Sequence, residues 1–167
     1  MSISMYQAAV PGFARVLGSF ATILEKAVAH CEARKIEPGV LVNARLFPDM
    51  FPLFRQVQIA SDAAKGGAAR LAGIDPPVFE DTETTFEELI TRLHKTIAYL
   101  DTWREEQFTE AADRTITWKT RTTSRSMQGV PYLFTHVTPN VYFHITTAYN
   151  ILRHNGIEVG KKDFLGT

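Results

Sequence analysis

The chain has 167 residues, enough to bury a sizeable hydrophobic core without disulfides or metals as staples. Lys and Arg number 18 and Asp and Glu number 18, a balance that argues against a nucleic-acid module, while 45% apolar and 22% charged residues argue against disorder. One cysteine, Cys31, permits no internal disulfide and points to the cytoplasm; the opening Met1–Tyr6 lacks the basic-then-apolar order of a secretory signal, and no run of about 18 apolar residues is present to span a membrane.

No internal repeat is visible. The first periodic segment runs from Ser4 to Arg34, where Tyr6, Val10, Phe13, Leu17, Phe20, Leu24, Ala27 and Cys31 recur in steps of three and four and predict an amphipathic helix. Pro11 lies inside it, so a kink, or a regular start near Val10, is expected. Ile36-Glu37-Pro38-Gly39 breaks the pattern and leads into a short turn carrying Val40, Leu41 and Leu46. The second helix is expected to take Asp49 as N-cap with Pro52 in its first turn, and to bury Leu53, Val57, Ala60, Ala64, Gly67, Ala68 and Leu71. That face is made of small side chains, and Gly66-Gly67 implies close approach of a neighbouring helix. Gly73 ends it.

Thr84-Thr85-Phe86-Glu87 reads as a capping box that opens a third helix, with Phe86, Leu89, Leu93, Ile97 and Leu100 inward and Glu88–Arg92 as a surface pair. Its pattern dissolves by Phe108. Between Arg114 and Gln128 the period changes to two, with Ile116 and Trp118 alternating with threonines and a lysine, which predicts a small hairpin. A short helical turn is expected over Tyr132–His136. The last helix is expected to start with Thr138 as cap and Pro139 as first residue, to bury Tyr142, Ile145, Tyr149 and Leu152, and to stop at Asn155-Gly156, with Phe164 and Leu165 docking the tail. The whole of 1–167 is therefore read as one all-α domain, a four-helix bundle with a small β-hairpin or irregular insertion before the last helix.

Asn140 and His144 stand one turn apart on the last helix, with Val141, Ala148 and Ile151 beside the imidazole, so His144 sits at the edge of the buried surface. A hydrogen-bonded buried histidine and a metal ligand are both open at this position. The segment Asn140-Val141-Tyr142-Phe143-His144, followed by Ile151-Leu152-Arg153-His154-Asn155-Gly156, resembles the closing helix of the DinB/YfiT-like metalloenzyme superfamily. The tail Gly160-Lys161-Lys162-Asp163-Phe164-Leu165-Gly166 resembles a branch of it known only as a domain of unknown function. The resemblance implies a four-helix bundle, often a homodimer, with a metal between helices in the metal-binding members. It places His144 at the second histidine of the family's His-x-x-x-His motif and Asn140 at the first. The third ligand is a histidine on the second helix, which here has none; Gln56, Gln58 and Asp62 are its polar residues, with Gln58 nearest by rough alignment. Carboxamides are poor ligands for zinc or nickel, so a degenerate site with no cofactor is expected, a weakly held divalent metal being the alternative.

The remaining histidines carry less. Pro139 argues against one unbroken helix through His136 and His144, His94 borders the third helix's stripe, and His30 ends the first helix. Cys31 reads as a small buried residue. Arg114, Lys119, Arg121 and Arg125 form a basic cluster open to an anionic ligand or to solvent. Three readings follow: an unassigned DinB-like bundle, dimeric through its helices and through Phe47, Met50, Phe51 and Phe54; a metal-dependent enzyme, such as a thiol-linked transferase or hydrolase, with His144 as a ligand; and a metal-free small-molecule binding protein with Tyr142, Tyr149, Trp103 or Trp118 as pocket walls.

Overall fold

A computed structural model describes residues 3–120 and 122–167; Arg121 of the basic cluster and Met1 and Ser2 of the opening segment lie outside the described residues. Helix α1 (Met5–Arg34) starts earlier than its proline suggests. Ser4 accepts the Gln7 N–H at 3.2 Å while the Gln7 side chain accepts the Ser4 N–H at 3.3 Å, a reciprocal cap that fixes the first turn ahead of Pro11. Its inward face (Ala9, Val10, Phe13, Leu17, Phe20, Leu24, Ala27 and Cys31) is fully shielded, and the larger of these side chains contribute about 1.5–3 kcal/mol each. Lys35, at φ 55°, ends it. Helix α2 (Pro38–Val42) follows, buries Leu41 and Val42, and occupies the expected turn.

Helix α3 (Leu53–Leu71) is capped by Pro52 and receives no side-chain cap, so Asp49 does not have the role expected of it: the chain from Phe47 to Met50 turns on its own backbone instead. The predicted small-residue face is buried throughout. At Gly67 a Cβ would lie 2.3 Å from Val137 Cγ1, which is the physical reason glycine is needed there. Helix α4 (Phe86–Leu100) is capped one residue later than predicted, with Thr85 accepting the Glu88 N–H at 3.2 Å and Glu88 accepting the N–H groups of both Thr84 and Thr85. Glu88 is thereby committed to the cap. The expected Glu88–Arg92 surface pair does not form, because the Arg92 side chain is buried and reaches Asp62, Asp81 and Glu83 at 2.9–3.0 Å. A 3-10 turn (Glu105–Phe108) carries the chain to the hairpin.

The hairpin is as predicted: β1 (Thr115–Lys119) pairs antiparallel with β2 (Ser124–Gln128), Trp118 opposite Arg125, with Ile116 and Trp118 facing inward. From Gly129 the chain is helical without a break to His154: α5 (Gly129–Pro131), a π-helical stretch (Tyr132–Val137), then α6 (Thr138–His154). Thr138 is therefore no cap, and Pro139 does not start a helix. Pro139 has no N–H to give and crowds the carbonyl one turn back, and a wide π turn before it absorbs both problems. The inward face of α6 is also rotated from the predicted one: Val141, His144, Ile145, Ala148, Ile151 and Leu152 are buried, whereas Tyr142 is exposed and Tyr149 half-buried. Gly156, at φ 91°, supplies the left-handed residue that lets the Ile157 N–H reach the Leu152 carbonyl and close the helix. Helix α7 (Lys161–Leu165) packs on α1, with Phe164 edge-on to Tyr149.

The four long helices close a ring in which α1 packs on α4, α4 on α3, α3 on α6 and α6 on α1. The fold is the expected four-helix bundle with a small two-stranded insertion before the last helix. No described helix is long and apolar enough to cross a membrane.

Candidate functional site

His144 is turned into the α3–α6 seam, where its Nδ1 lies 2.6 Å from Gln56 Oε1. Gln56 in turn donates from Nε2 to the Phe51 carbonyl at 3.0 Å, which orients the amide with its oxygen toward the ring. The proton of a neutral His144 is therefore on Nδ1 and the lone pair on Nε2. Burial, and after it the Arg55 charge, push the His144 pKa below the ordinary imidazole value.

The other two residues of the predicted ligand set point elsewhere. Asn140 donates from Nδ2 to the His136 carbonyl at 2.6 Å. Gln58 accepts from Arg55 and donates to Glu83, both at 2.9 Å, on the side of α3 that faces the loop before α4. The residue that meets His144 is Gln56, two positions earlier on the other face of the helix. A zinc or nickel site needs imidazole, thiolate or carboxylate donors converging on one point. One imidazole whose partner is already chosen, and two carboxamides engaged in different directions, do not fit such an ion. Among the described residues no group of three or more His, Cys, Asp or Glu side chains is placed to hold one.

Asn140 instead lines a cleft of about 480 Å³ between α3, β1 and the π-helical stretch, with Asp62, Arg70, Trp118, Lys119 and His136 among its walls. Three rings form one side. Trp118 lies over His136 at 4.6 Å between centroids and 32° between planes, His136 over Tyr132 at 5.6 Å and 33°, and Trp118 meets Tyr132 at 5.0 Å. Arg70 stands beside them, its Nη1 3.4 Å from the Tyr132 hydroxyl. Burial lowers the His136 pKa, and the charges of Arg125 and Arg70 lower it further, so this ring is held neutral. Burial raises the Tyr132 pKa against the opposing pull of Arg70.

The charges around the cleft are divided. Asp62 is held by Lys65 at 2.9 Å and Arg92 at 3.0 Å, and Arg55 pairs with Asp81. Among the described residues, Arg70, Lys119 and Arg125 form no salt bridge.

The aromatic residues named as pocket walls are dispersed. Trp118 is in the cleft; Trp103 packs edge-on between Tyr99 and Phe108 at the far end of α4; Tyr142 borders a shallow depression by Phe164; and Tyr149 donates toward the Val159 carbonyl. Tyr132 and Arg70 escape the sequence reading. Tyr132 lay in a stretch read only as a helical turn, and Arg70 carries no motif; only the wide turn and the hairpin bring them beside Trp118.

The chain as a whole has known counterparts. A family model described as Domain of unknown function (DUF1993) matches residues 5–165. A crystal structure of a DinB family member protein from Shewanella denitrificans is similar to this chain with 45% sequence identity and a TM-score of 0.92, covering 98% of this chain and 92% of that one. No curated protein matches.

Proposed function

Because the chain belongs to the DUF1993 family and has a DinB-like fold, and neither assigns it a reaction, we propose its function from the cleft: it is a small-molecule binding protein that works without a resident metal. One observation carries this reading. The cleft has the volume of a small-ligand site and is bordered by Trp118, Tyr132 and His136, while the donors that a metal would need are engaged with each other, with the backbone or with neighbouring charged side chains. His144 and Gln56 then hold α3 and α6 in register, and Asn140 fixes the turn that carries His136.

Elemental analysis of untagged protein beside a His144→Ala variant, with a thermal-shift screen of small molecules, tests it. The expected result is less than stoichiometric metal and ligands that raise the melting temperature in the parent chain and not in Trp118→Ala, since a ligand selective for the native state must stabilise it. Stoichiometric zinc, nickel or iron that disappears in His144→Ala would overturn it in favour of a metal-dependent enzyme.

The working form in this reading is a homodimer in the cytoplasm. Phe47, Phe51 and Phe143 are each at least half exposed. The Phe143 ring touches His144, and the partner of His144, Gln56, is bonded to Phe51. A buried lone thiol at Cys31 suits a reducing compartment.

A further inference from the structure

The segment that joins α3 to α4 is fastened to the bundle almost entirely by charged side chains. We propose that residues 75–83 are an ion-latched lid over the α3–α4 seam, one that opens as a unit while the four long helices stay folded.

The ordinary fastenings are missing. Among the described residues, no backbone–backbone hydrogen bond is made from Asp75 to Glu83; the last one before the segment joins the Ile74 N–H to the Ala69 carbonyl. None of its residues is buried: Pro76, Pro77, Phe79 and Glu83 are half-buried, and Val78 is 89% exposed. A segment with few buried apolar contacts and no backbone ladder lies at the low end of local stability. It is also hollow on both flanks, by about 500 Å³ toward α4 and about 250 Å³ toward α3, with Val78 and Phe79 lining each hollow.

What holds it is Arg92, whose side chain is 1% exposed. Its Nε donates to Ser61 Oγ at 3.3 Å, its Nη1 to the Glu80 carbonyl at 3.0 Å and to Glu83 at 2.9 Å, and its Nη2 to Asp62 and Asp81 at 3.0 Å each. Glu80, Asp81 and Glu83 belong to the lid, whereas Ser61 and Asp62 belong to α3. Arg55 gives Asp81 a second partner and Gln58 donates to Glu83, while the ammonium groups of Lys65 and Lys95 lie 3.8 and 4.1 Å from the centre of the Phe79 ring. When the lid lifts, Arg92 keeps Ser61 and Asp62 and turns its other donors to water, so no charge is left buried and unpaired. The Ser61–Thr96 hydrogen bond, 2.6 Å long and made without the lid, still joins α3 to α4. The Asp62 and Asp81 side chains are 41% and 37% exposed, so dissolved salt reaches the latch. Arg55 and Asp62 also line the cleft beside Trp118, and an open lid frees the Arg55 guanidinium there, which couples the segment to the cleft.

Chymotrypsin tests this on the full chain, because it cuts after Phe79 only when the surrounding segment leaves the bundle, and the rate follows the open population. Intact-mass analysis follows the Phe79–Glu80 cut, with rates divided by those of a free peptide of residues 75–84 to remove the protease's own response to salt. Raising NaCl to about 1 M is expected to speed the cut about fivefold with the helical circular dichroism unchanged. Asp81→Asn with Glu83→Gln keeps an acceptor oxygen at every contact and removes both charges; it is expected to speed the low-salt cut about tenfold and to flatten the salt response. Lys95→Gln, an exposed change on α4, is expected to speed it about threefold by loosening Phe79. A double variant cut at the parental rate would overturn the latch. A cut that speeds up only in step with loss of the helical signal would overturn the lid, since the segment would then open only with the whole chain.

Discussion

An imidazole inside the α3–α6 seam, with its Nδ1 proton given to a carboxamide oxygen, resists charging, and that resistance has a thermodynamic signature. Burial and the Arg55 charge set the folded pKa of His144 below about 6.5, the value of an unfolded chain. As pH falls past that value the unfolded state takes up a proton that the native state refuses. Stability from this residue is complete above about pH 6.5 and is lost as the pH drops toward the folded pKa, at no more than about 1.4 kcal/mol per pH unit. His136 is shifted in the same direction and adds to the slope. Urea unfolding at pH 7.5 and pH 5.5 checks this against His144→Gln, which keeps an amide for Gln56 and removes the titrating group: the parent chain is expected to lose more stability than the variant, and equal losses would refute the assignment. The sequence showed that His144 borders the core, because its neighbours at one turn are apolar. It did not show which of Gln56 and Gln58 meets it. Two amides two positions apart lie on different faces of one helix, and only the register of α3 against α6 chooses between them.

At the scale of elements, the small-residue face of α3 and the wide turn before α6 are two halves of one contact. Gly67 admits Val137, the last residue of the π-helical stretch, into the groove of α3. Gly67→Ala places a methyl 2.3 Å from Val137 Cγ1, a distance no pair of carbons tolerates, and is expected to cost about 1–3 kcal/mol in spite of alanine's better helix propensity. The double change Gly67→Ala with Val137→Ala is expected to cost less than the sum of the two single changes, because one methyl replaces the other. Chemical denaturation of the four chains measures the coupling, and strict additivity would show that the two residues do not share the space. The close approach was legible in Gly66-Gly67, whereas the wide turn was not: Pro139 reads locally as a helix start, and it takes the Gly67–Val137 packing and the Trp118 stack on His136 to hold an uninterrupted helix through it. The caps of α3 and α4 were misread for a related reason. Thr84 and Thr85 are equivalent in composition, and the burial of Phe86 decides which of them precedes the first turn.

Over the whole molecule, the four amphipathic faces specify a closed ring of helices, and apolar spacing alone was enough to predict it. The ties between loops and core were hidden, because they join residues far apart in sequence: Arg92, which pairs locally with Glu88 on paper, is drawn inside by Asp62 on α3 and by Asp81 and Glu83 on the preceding loop. The ring leaves apolar side chains uncovered in several places, Val40, Ile74, Val78 and Phe134 among them, and one group of aromatics stands near the His144–Gln56 contact. Phe47 is 63% exposed, Phe51 50% and Phe143 58%, with Leu46 also open to solvent on the same loop as the first two. Aromatic side chains left exposed together are costly to a monomer and are a common mark of an interface. The commonest way to cover such a patch is an identical one on a second copy related by a two-fold axis. Light scattering on the eluting peak at micromolar concentration is therefore expected to give twice the chain mass of 18.7 kDa. The pair Phe51→Ser with Phe143→Ser is expected to return a species of 18.7 kDa with unchanged helical circular dichroism, since both side chains are at least half exposed and their loss leaves the core intact. A parent chain that elutes only at the single-chain mass would remove the dimer. A parent dimer that survives both substitutions would move the interface to another face of the bundle.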